Sequence, residues 1–322
     1  MSCLELAPIR RGLVTICAAV ACGAATNAAT HHPARPSLEG VWAAPFVLTM
    51  ESTPQTPALV VSEKDAGPIG AAQGAALSDF FAKLQDPEVP ALVPMLRGLP
   101  IVRGQRRTRL VVQPTDGKMP YVAAARKELE PPAGEPPPLA NPEDGDNNLR
   151  CLVGNSQPPL ASFAFENQLQ IVRTKDAVVL HTEYGDDVRV VPLTDHHAAK
   201  TLWSKWLGDS IGRWEGDTLV IETVGMPDAD RQRFAPMMIV SGDATVIERL
   251  TPVSDKELLY QFTVIDPKVF SAPWLAEFSW FRTDKLMYEH ACHEGNYALA
   301  NVLAGARHEE RLAGAATGAK GP

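Results

Sequence analysis

Short runs of β-favouring residues, separated by turn residues, fill the chain from residue 168 onward and limit its fold more than any other feature. The clearest run, 256–266, alternates apolar residues on one face with Gln261 and Thr263 on the other. Strands that recur every 8–12 residues or so between turns are typical of an antiparallel sandwich or barrel, not of a βαβ array. The runs lie at residues 168–174, 177–184, 187–193, 210–215, 218–225, 244–253, 256–266, 273–283 and 286–293.

These runs predict a predominantly all-β fold: an antiparallel β-barrel or strongly curved sheet, lipocalin-like in architecture, with a C-terminal helix at 297–311. An irregular N-terminal segment is expected to wrap its surface. That segment contains an opening strand at 38–42, a short helix at 74–84, a strand at 107–112 and a Pro-rich linker at 131–148. The predicted organisation is a signal peptide (1–28), the N-terminal wrap (29–149), the β domain with its helix (150–311) and a disordered tail (312–322).

The first thirty residues have the pattern of a secretory signal peptide. A positively charged start precedes an apolar stretch at 12–21, and small residues follow as far as Ala29, near which we expect the cut. The alternative is a surface helix of a cytosolic protein. A second processing route stays open, because residues 19–22 form an imperfect lipobox-like tetrapeptide whose Cys22 could be lipidated. We therefore expect an exported protein, periplasmic or secreted, with a lipid anchor at Cys22 as an option.

The formal net charge of −8 and the absence of cofactor motifs narrow the function classes. A nucleic-acid-binding surface is usually basic, and an acidic chain is a poor partner for anionic lipid. The sequence has no Gly-x-Gly-x-x-Gly, Walker or His-Glu-x-x-His motif, which disfavours nicotinamide, ATP and zincin chemistry. We expect no cofactor, no nucleic-acid partner and no membrane span.

Three of the five cysteines lie in the predicted signal peptide, which leaves Cys151 and Cys292. In an oxidising export compartment such a pair predicts one disulfide bond. The alternative is a reactive thiol, for which the sequence offers only His293 beside Cys292 as an activating neighbour.

Glu222 and Glu248 lie on predicted strands, and each shares its face with two aliphatic residues. Burying a carboxylate costs several kcal/mol unless the group is paired, hydrogen-bonded or protonated. We therefore expect these glutamates either to meet arginines, among which Arg189, Arg213 and Arg249 are available, or to line a wet cavity. The alternative is that the strands are half-exposed and the glutamates solvated.

The segment 288–296 is the second stretch that is dense in titratable residues. On a strand, His290 and Glu294 share a face, so they could act as an acid–base pair. A metal site is disfavoured, because His290 and His293 would point to opposite faces. The alternative is a structural strand that carries one half of the disulfide. The sequence Asp-His-His at 195–197 lies in a polar connection and predicts a solvated loop.

Two stretches carry a resemblance to known proteins: the hairpin from Gly208 to Thr223 and the segment 288–296. With them, most of 37–311 resembles a large family of exported bacterial β-rich proteins that have a Gly-Arg-Trp-Glu-Gly-Asp-Thr-Leu-Val-type hairpin and a C-terminal Tyr-Glu-x-x-Cys-His-Glu-Gly-Asn segment. The resemblance implies an exported β-rich domain that includes the N-terminal third, and no particular reaction. The chain departs from the commoner pattern at 225–227, which leaves the neighbouring loop undefined.

Three functions are compatible with these features. The first is binding of a small, partly apolar or aromatic molecule inside the barrel. The second is a cofactor-independent lyase, isomerase or hydrolase that uses carboxylate and His acid–base chemistry in the same cavity. The third is a structural or interaction protein of the cell envelope, with the aromatic residues as an ordinary core. The candidate ligand contacts are Arg213, Glu248, Arg249, Tyr260 and Trp280, and the candidate catalytic residues are Glu222, Glu294 and His290.

Overall fold

The structure is a computed structural model of the chain. The predicted signal peptide with Cys22, most of the Pro-rich linker and the last residues of the tail lie outside the residues that it describes. The described residues are 37–44, 49–83, 98–129, 139–145, 149–154, 156–160, 168–200, 206–228, 231–233 and 238–318.

Antiparallel strands are the most numerous elements of the described structure, together with three α-helices and a short 3-10 helix at Pro142–Asp144. The helices are α1 (Glu63–Lys83), α2 (Ala123–Glu128) and α3 (Ala298–Gly318). The strands are β1 (Gly40–Ala43), β2 (Val60–Val61), β3 (Ile101–Val102), β4 (Gln105–Arg107), β5 (Val111–Gln113), β6 (Gln168–Arg173), β7 (Ala177–Thr182), β8 (Val188–Pro192), β9 (Asp209–Glu215), β10 (Thr218–Val224), β11 (Gln232–Arg233), β12 (Met238–Ile239), β13 (Thr245–Ser254), β14 (Glu257–Ile265) and β15 (Trp274–Arg282).

One ten-stranded sheet carries the fold, in the order β8-β7-β6-β1-β15-β14-β13-β10-β9, with β5 added beside β15. The outermost strands β8 and β9 are not paired as strands, so the sheet is not closed. A single parallel bridge between Leu193 and Gly212 nevertheless joins the two ends, so the sheet must curve back on itself. The prediction of an antiparallel, strongly curved β fold with a C-terminal helix is therefore confirmed.

The strands predicted between 168 and 283 are confirmed, with shifts of one or two residues at their ends. Turn chemistry explains this success, as at Gly216, whose φ of +63° suits the tight turn between β9 and β10. The strand predicted at 286–293 is wrong, because this segment has no regular secondary structure. The strand before it, β15, is already paired with β14 on one side and with β1 and β5 on the other, so it offers no free edge.

Both predicted helices exist but are longer than expected. The first begins near residue 63 rather than 74, because the Ser62 hydroxyl accepts the Asp65 N–H at 3.3 Å and thereby caps the helix. The last helix continues to Gly318, so the prediction of a disordered tail from 312 is wrong as far as 318. In the described part of the chain, no helix has the length and hydropathy to span a membrane.

Strand register decides which carboxylates face the core. Ile221 pairs with Glu248, whereas Glu222 pairs with Ile247. Because neighbouring residues of a strand point to opposite faces, Glu248 projects inward with Ile221 while Glu222 projects outward. The inward face is apolar and aromatic, with Tyr260, Phe262, Phe278, Trp274 and Trp280 all at most 1% exposed.

Glu248 is fully buried and is the centre of a hydrogen-bonded cluster inside the sheet. Arg189 donates to both of its carboxylate oxygens, at 2.7 and 2.9 Å, and Tyr260 donates from its hydroxyl at 2.7 Å. The backbone N–H of Leu160 donates to the Tyr260 oxygen at 2.7 Å and lies 3.3 Å from Glu248. Burial and the Glu248 charge raise the pKa of Tyr260 well above its ordinary value, so the phenol keeps the proton that it donates.

Replacing Glu248 by Leu should destabilise the protein by about 3–5 kcal/mol, because it leaves the buried Arg189 charge unpaired. The double variant Arg189→Met/Glu248→Leu should recover much of this loss. Urea denaturation measures both. The matched control is Arg249→Leu, next in the same strand, whose exposed pair with Glu215 should cost less than about 1 kcal/mol. Equal losses for the two single variants would contradict this assignment.

Candidate functional site

His197 lies between two carboxylates at the open end of the β9–β10 hairpin, on the outer face of the sheet. Its Nδ1 is 2.6 Å from Asp209 Oδ2, and its Nε2 is 3.3 Å from Glu222 Oε1. Antiparallel pairing sets Asp209 opposite Val224, two residues along the same face from Glu222. The N–H of Ala198 also donates to Asp209, at 3.1 Å. These contacts fix the imidazole ring against the hairpin.

The contacts give the two ring nitrogens different roles. An ionised carboxylate only accepts hydrogen bonds, so the short contact with Asp209 requires a proton on Nδ1. The same rule applies at Nε2, where the hydrogen bond with Glu222 needs one proton, which either the ring or the carboxyl group can carry. The exposed fraction of the side chains rises from 17% at Asp209 to 21% at His197 and 35% at Glu222. The reactive side of the cluster is therefore its more accessible side.

His197 is the residue that the sequence-based prediction missed. The expected solvated loop is found at Asp195 and His196, whose side chains are 100% and 81% exposed. The His197 ring instead packs against the outer face of the sheet, where it contacts Asp209. The signal that could have found it was Glu222, a carboxylate on an apolar strand face with no assigned partner. His290, the histidine that the sequence analysis gave as a catalytic candidate, lies beside Tyr184 and not beside Glu222.

Residues 208–212 read Gly-Asp-Ser-Ile-Gly, the form of a nucleophile-elbow motif, although the segment is a strand and not a strand–turn–helix. Ser210 points inward, is 6% exposed, and shares a 2.8 Å hydrogen bond with Thr223. Asp209 points outward, since neighbouring strand residues alternate. His197 therefore cannot activate Ser210, and the motif does not form a serine nucleophile.

Two predicted ligand contacts, Arg213 and Arg249, lie on the same outer face as Glu222. Both are opposite Val220, which is two residues from Glu222 in β10. Each pairs with Glu215, at 2.9 and 2.8 Å. They are 54% and 37% exposed, and with Glu215 the group keeps one net positive charge two strand residues from Glu222.

The other predicted ligand contacts, Glu248, Tyr260 and Trp280, lie on the inner face and are at most 1% exposed. The first two bond to Arg189 and to the Leu160 N–H, and the Trp280 ring packs 5.5 Å from that of Phe278. The structure thus divides the predicted ligand set between two faces of one sheet. The prediction that these inner residues bind a ligand stays a prediction.

A second polar cluster surrounds the disulfide, whose prediction is confirmed by the bond between Cys151 and Cys292. Glu183 accepts the N–H of Tyr288 at 3.0 Å, which attaches the 286–296 segment to the end of β7. In this region the ring centroids of Tyr184 and His290 are 4.9 Å apart. The third predicted catalytic residue, Glu294, lines a cavity beside Cys292.

Burial raises the pKa of Asp187, in the β7–β8 connection, to about 6. Backbone N–H groups of Gly154 and Ser156 and the charge of His290 act in the opposite direction, while Asp186 adds to the rise. The Gly154 N–H lies 2.5 Å from the carboxylate. Asp187 therefore fixes the segment that leads from the disulfide to the buried Leu160.

Neither cluster has the geometry of a metal centre. Among the described residues, no three His, Cys, Asp or Glu side chains are placed to hold one ion. At His197 the two carboxylates lie at different ring nitrogens, so the three groups do not converge. The arrangement is suited to proton transfer.

No protein-family model matches the chain, and no curated protein is similar to it in sequence. Among solved structures, it is similar to the crystal structure of a point mutant of the fluorescent protein UnaG. That likeness has 13% sequence identity and a TM-score of 0.24, and it covers 43% of this chain and 87% of the other. The assignment of a function therefore rests on the geometry of the site.

Asp187→Asn should change the pH dependence of stability. With a native pKa of about 6 against an ordinary value of 3.8, the native carboxyl takes up a proton before the unfolded one as the pH falls. Its buried charge therefore destabilises the fold above about pH 6, and this cost disappears below the ordinary value. After allowance for partial exposure, the variant should gain about 1–2 kcal/mol relative to the wild type between pH 4 and pH 7.

Urea denaturation at several pH values measures this difference. Asp176→Asn, at an exposed residue of the β6–β7 turn, is the control and should leave the pH profile unchanged. A wild-type stability that rises relative to Asp187→Asn between pH 4 and pH 7 would contradict the buried-carboxyl assignment.

Proposed function

We propose that this chain is an exported β-rich protein. It binds a small molecule at the His197 site and catalyses the transfer of a proton to or from that molecule. The observation that carries the proposal is the placement of one imidazole between Asp209 and Glu222 on an accessible sheet face. Two carboxylates and a His within hydrogen-bond reach are sufficient for general acid–base catalysis without a cofactor.

Each residue has a defined part in this chemistry. The pair formed by Nε2 of His197 and Glu222 exchanges a proton with the bound molecule, and Asp209 holds the ring in place and stabilises its imidazolium form. Glu222 positions the donor group or shares the transferred proton. The proton returns to the product, so no external oxidant or reductant is consumed, as in a lyase, an isomerase or a hydrolase.

The neighbouring arginines favour a substrate that develops negative charge. Arg213 and Arg249 lie on the same face as Glu222, about 7 Å along the strand by the usual rise of about 3.4 Å per residue. An anion that forms when a proton leaves carbon or oxygen is stabilised by such fixed positive groups. Binding inside the sheet is less favoured, because the residues proposed for it are buried against other parts of the protein.

The test compares two adjacent histidines. Purified protein is incubated with a protein-free small-molecule extract of the producing bacterium, and consumption is followed by untargeted mass spectrometry. His197→Gln should lower the conversion of the consumed compound by about 100-fold or more, and Asp209→Asn should lower it strongly as well. His196→Gln, with its exposed ring, should retain full activity.

Melting temperatures distinguish a chemical role from a structural one. Each variant should melt close to the wild type, because the His197 cluster lies at the surface. Equal conversion by the wild type and His197→Gln would refute the proposal, and so would a loss of activity that only follows a loss of folded protein. If a compound binds but is not converted, the protein is a binding protein and not an enzyme.

Export is supported by the charged, apolar and small-residue pattern at the N-terminus and by the Cys151–Cys292 bond. If the full chain is produced in a bacterium, intact-mass measurement of the periplasmic protein should show loss of about the first 28 residues. Cys22→Ala tests the lipid route, since only a lipidated protein would change its processing and membrane association. An unprocessed chain that stays in the cytoplasm would contradict export.

A further inference from the structure

An open cavity of about 290 Å³ lies beside the disulfide, away from the His197 site in the sequence and built from other elements. It is formed by the turn that precedes α3 and by one residue of the segment next to Cys151. This turn belongs to the 288–296 segment that the proposed function does not use. The described lining residues are Leu149, Cys292, Glu294, Gly295, Asn296, Tyr297 and Ala298.

The walls of this cavity are held in place before any ligand arrives. The disulfide ties Cys292 to Cys151. The Asn296 amide donates to the Leu149 carbonyl at 3.0 Å and lies 3.1 Å from the Cys151 sulfur. Gly295 has a φ of +77°, in the left-handed region, where the turn needs glycine. Preorganisation of this kind lowers the cost of binding.

The polar groups of the cavity select positive charge. Glu294 is the charged residue among the described lining residues, and no Lys, Arg or His is among them. Within the described part of the chain, Glu294 has no ion-pair partner. The Asn296 amide nitrogen is engaged by its two contacts, which leaves the side-chain oxygen as an acceptor.

The remaining lining is apolar and aromatic. Tyr297 is 74% exposed, so most of its ring is available, and Leu149 and Ala298 add aliphatic surface. A positive charge over an aromatic ring within about 6 Å is attracted by the negative face of the ring. A carboxylate beside an open aromatic ring therefore suits a cation that has carbon substituents.

The N-terminus of α3 lies at the rim of this cavity and weakens its preference for positive charge only in part. A helix N-terminus is equivalent to about half a positive charge, whereas the Glu294 carboxylate carries a full negative charge. The partial charge of the helix end therefore does not cancel the charge of Glu294.

We propose that this cavity binds a small organic ammonium ion, with its charge at Glu294 and its alkyl groups against Tyr297 and Leu149. An anion would be repelled by the negative charge of the Glu294 carboxylate. A calcium or magnesium ion would need several more oxygen ligands than one carboxylate and one amide supply. The volume of about 290 Å³ is at the low end of ligand cavities and suits a molecule of this size.

Choline chloride is the probe, titrated into the purified protein at low ionic strength and followed by NMR or calorimetry. Its neutral analogue 3,3-dimethylbutan-1-ol, which has carbon in place of the charged nitrogen, tests the need for charge, and sodium acetate tests for anion binding. Choline should bind saturably at one site, and the two other probes should bind at least about tenfold more weakly.

The chain offers a matched control for each binding residue. Glu294→Gln should weaken choline binding about tenfold or more, and Tyr297→Ala should weaken it several-fold. Glu289→Gln and Tyr288→Ala alter residues of the same segment that are not among the described lining residues, and Tyr288 is as exposed as Tyr297. These two controls should leave binding unchanged.

Several results would overturn the proposal: no saturable binding of choline, equal binding of the neutral alcohol, stronger binding of acetate, or equal effects of the binding and control variants. None of these variants touches His197, Asp209 or Glu222. The outcome is therefore independent of the test of the proposed function, and either inference can fail without the other.

Discussion

The ion pair between Arg189 and Glu248 is the contact on which the shape of the sheet depends. Arg189 belongs to β8, at one end of the hydrogen-bonded order, and Glu248 belongs to β13, near the other end. Strands so far apart along a flat sheet could not touch through their side chains, so this bidentate contact and the Leu193–Gly212 bridge both require the sheet to curl. Because both charges are buried, the contact is costly to form and costly to break. It therefore favours one curvature over other packings.

Because the sheet curls, its polar side chains face either the interior or the outer surface, and the two sets have different roles. Inside, Glu248 and Ser210 are buried and hydrogen-bond to neighbouring groups of the fold. Outside, Asp209 and Glu222 belong to the same hairpin, yet hold an accessible imidazole. Neighbouring side chains of a strand point to opposite faces of the sheet. Asp209 and Ser210 are chain neighbours in β9, so only Asp209 can take part in chemistry at the surface.

Much of the sheet could be predicted from the sequence, because β13 and β14 alternate with period two and Gly216 marks a turn that few other residues can form. The prediction of a strand at 286–293 was wrong because a strand needs a free edge of a sheet to pair with. The local sequence does not show whether such an edge is available. His197 was missed for a related reason: its partners are 12 and 25 residues further along the chain and face it only after the β9–β10 hairpin has formed. Glu248 was correctly placed on an apolar face, but its partner Arg189 could be chosen only from the curvature.

The disulfide has a consequence for how the folded chain tolerates proteolysis. Cys151 and Cys292 are 141 residues apart, and strands β6 to β15 all lie between them. One cut by a protease in a loop of this region would therefore leave the two halves covalently joined, with their strands still paired across the sheet. A nicked molecule could keep its shape and its surface sites, whereas a cut before Cys151 would lack this protection. Such tolerance of a single cut extends the time for which the folded molecule keeps its surface sites.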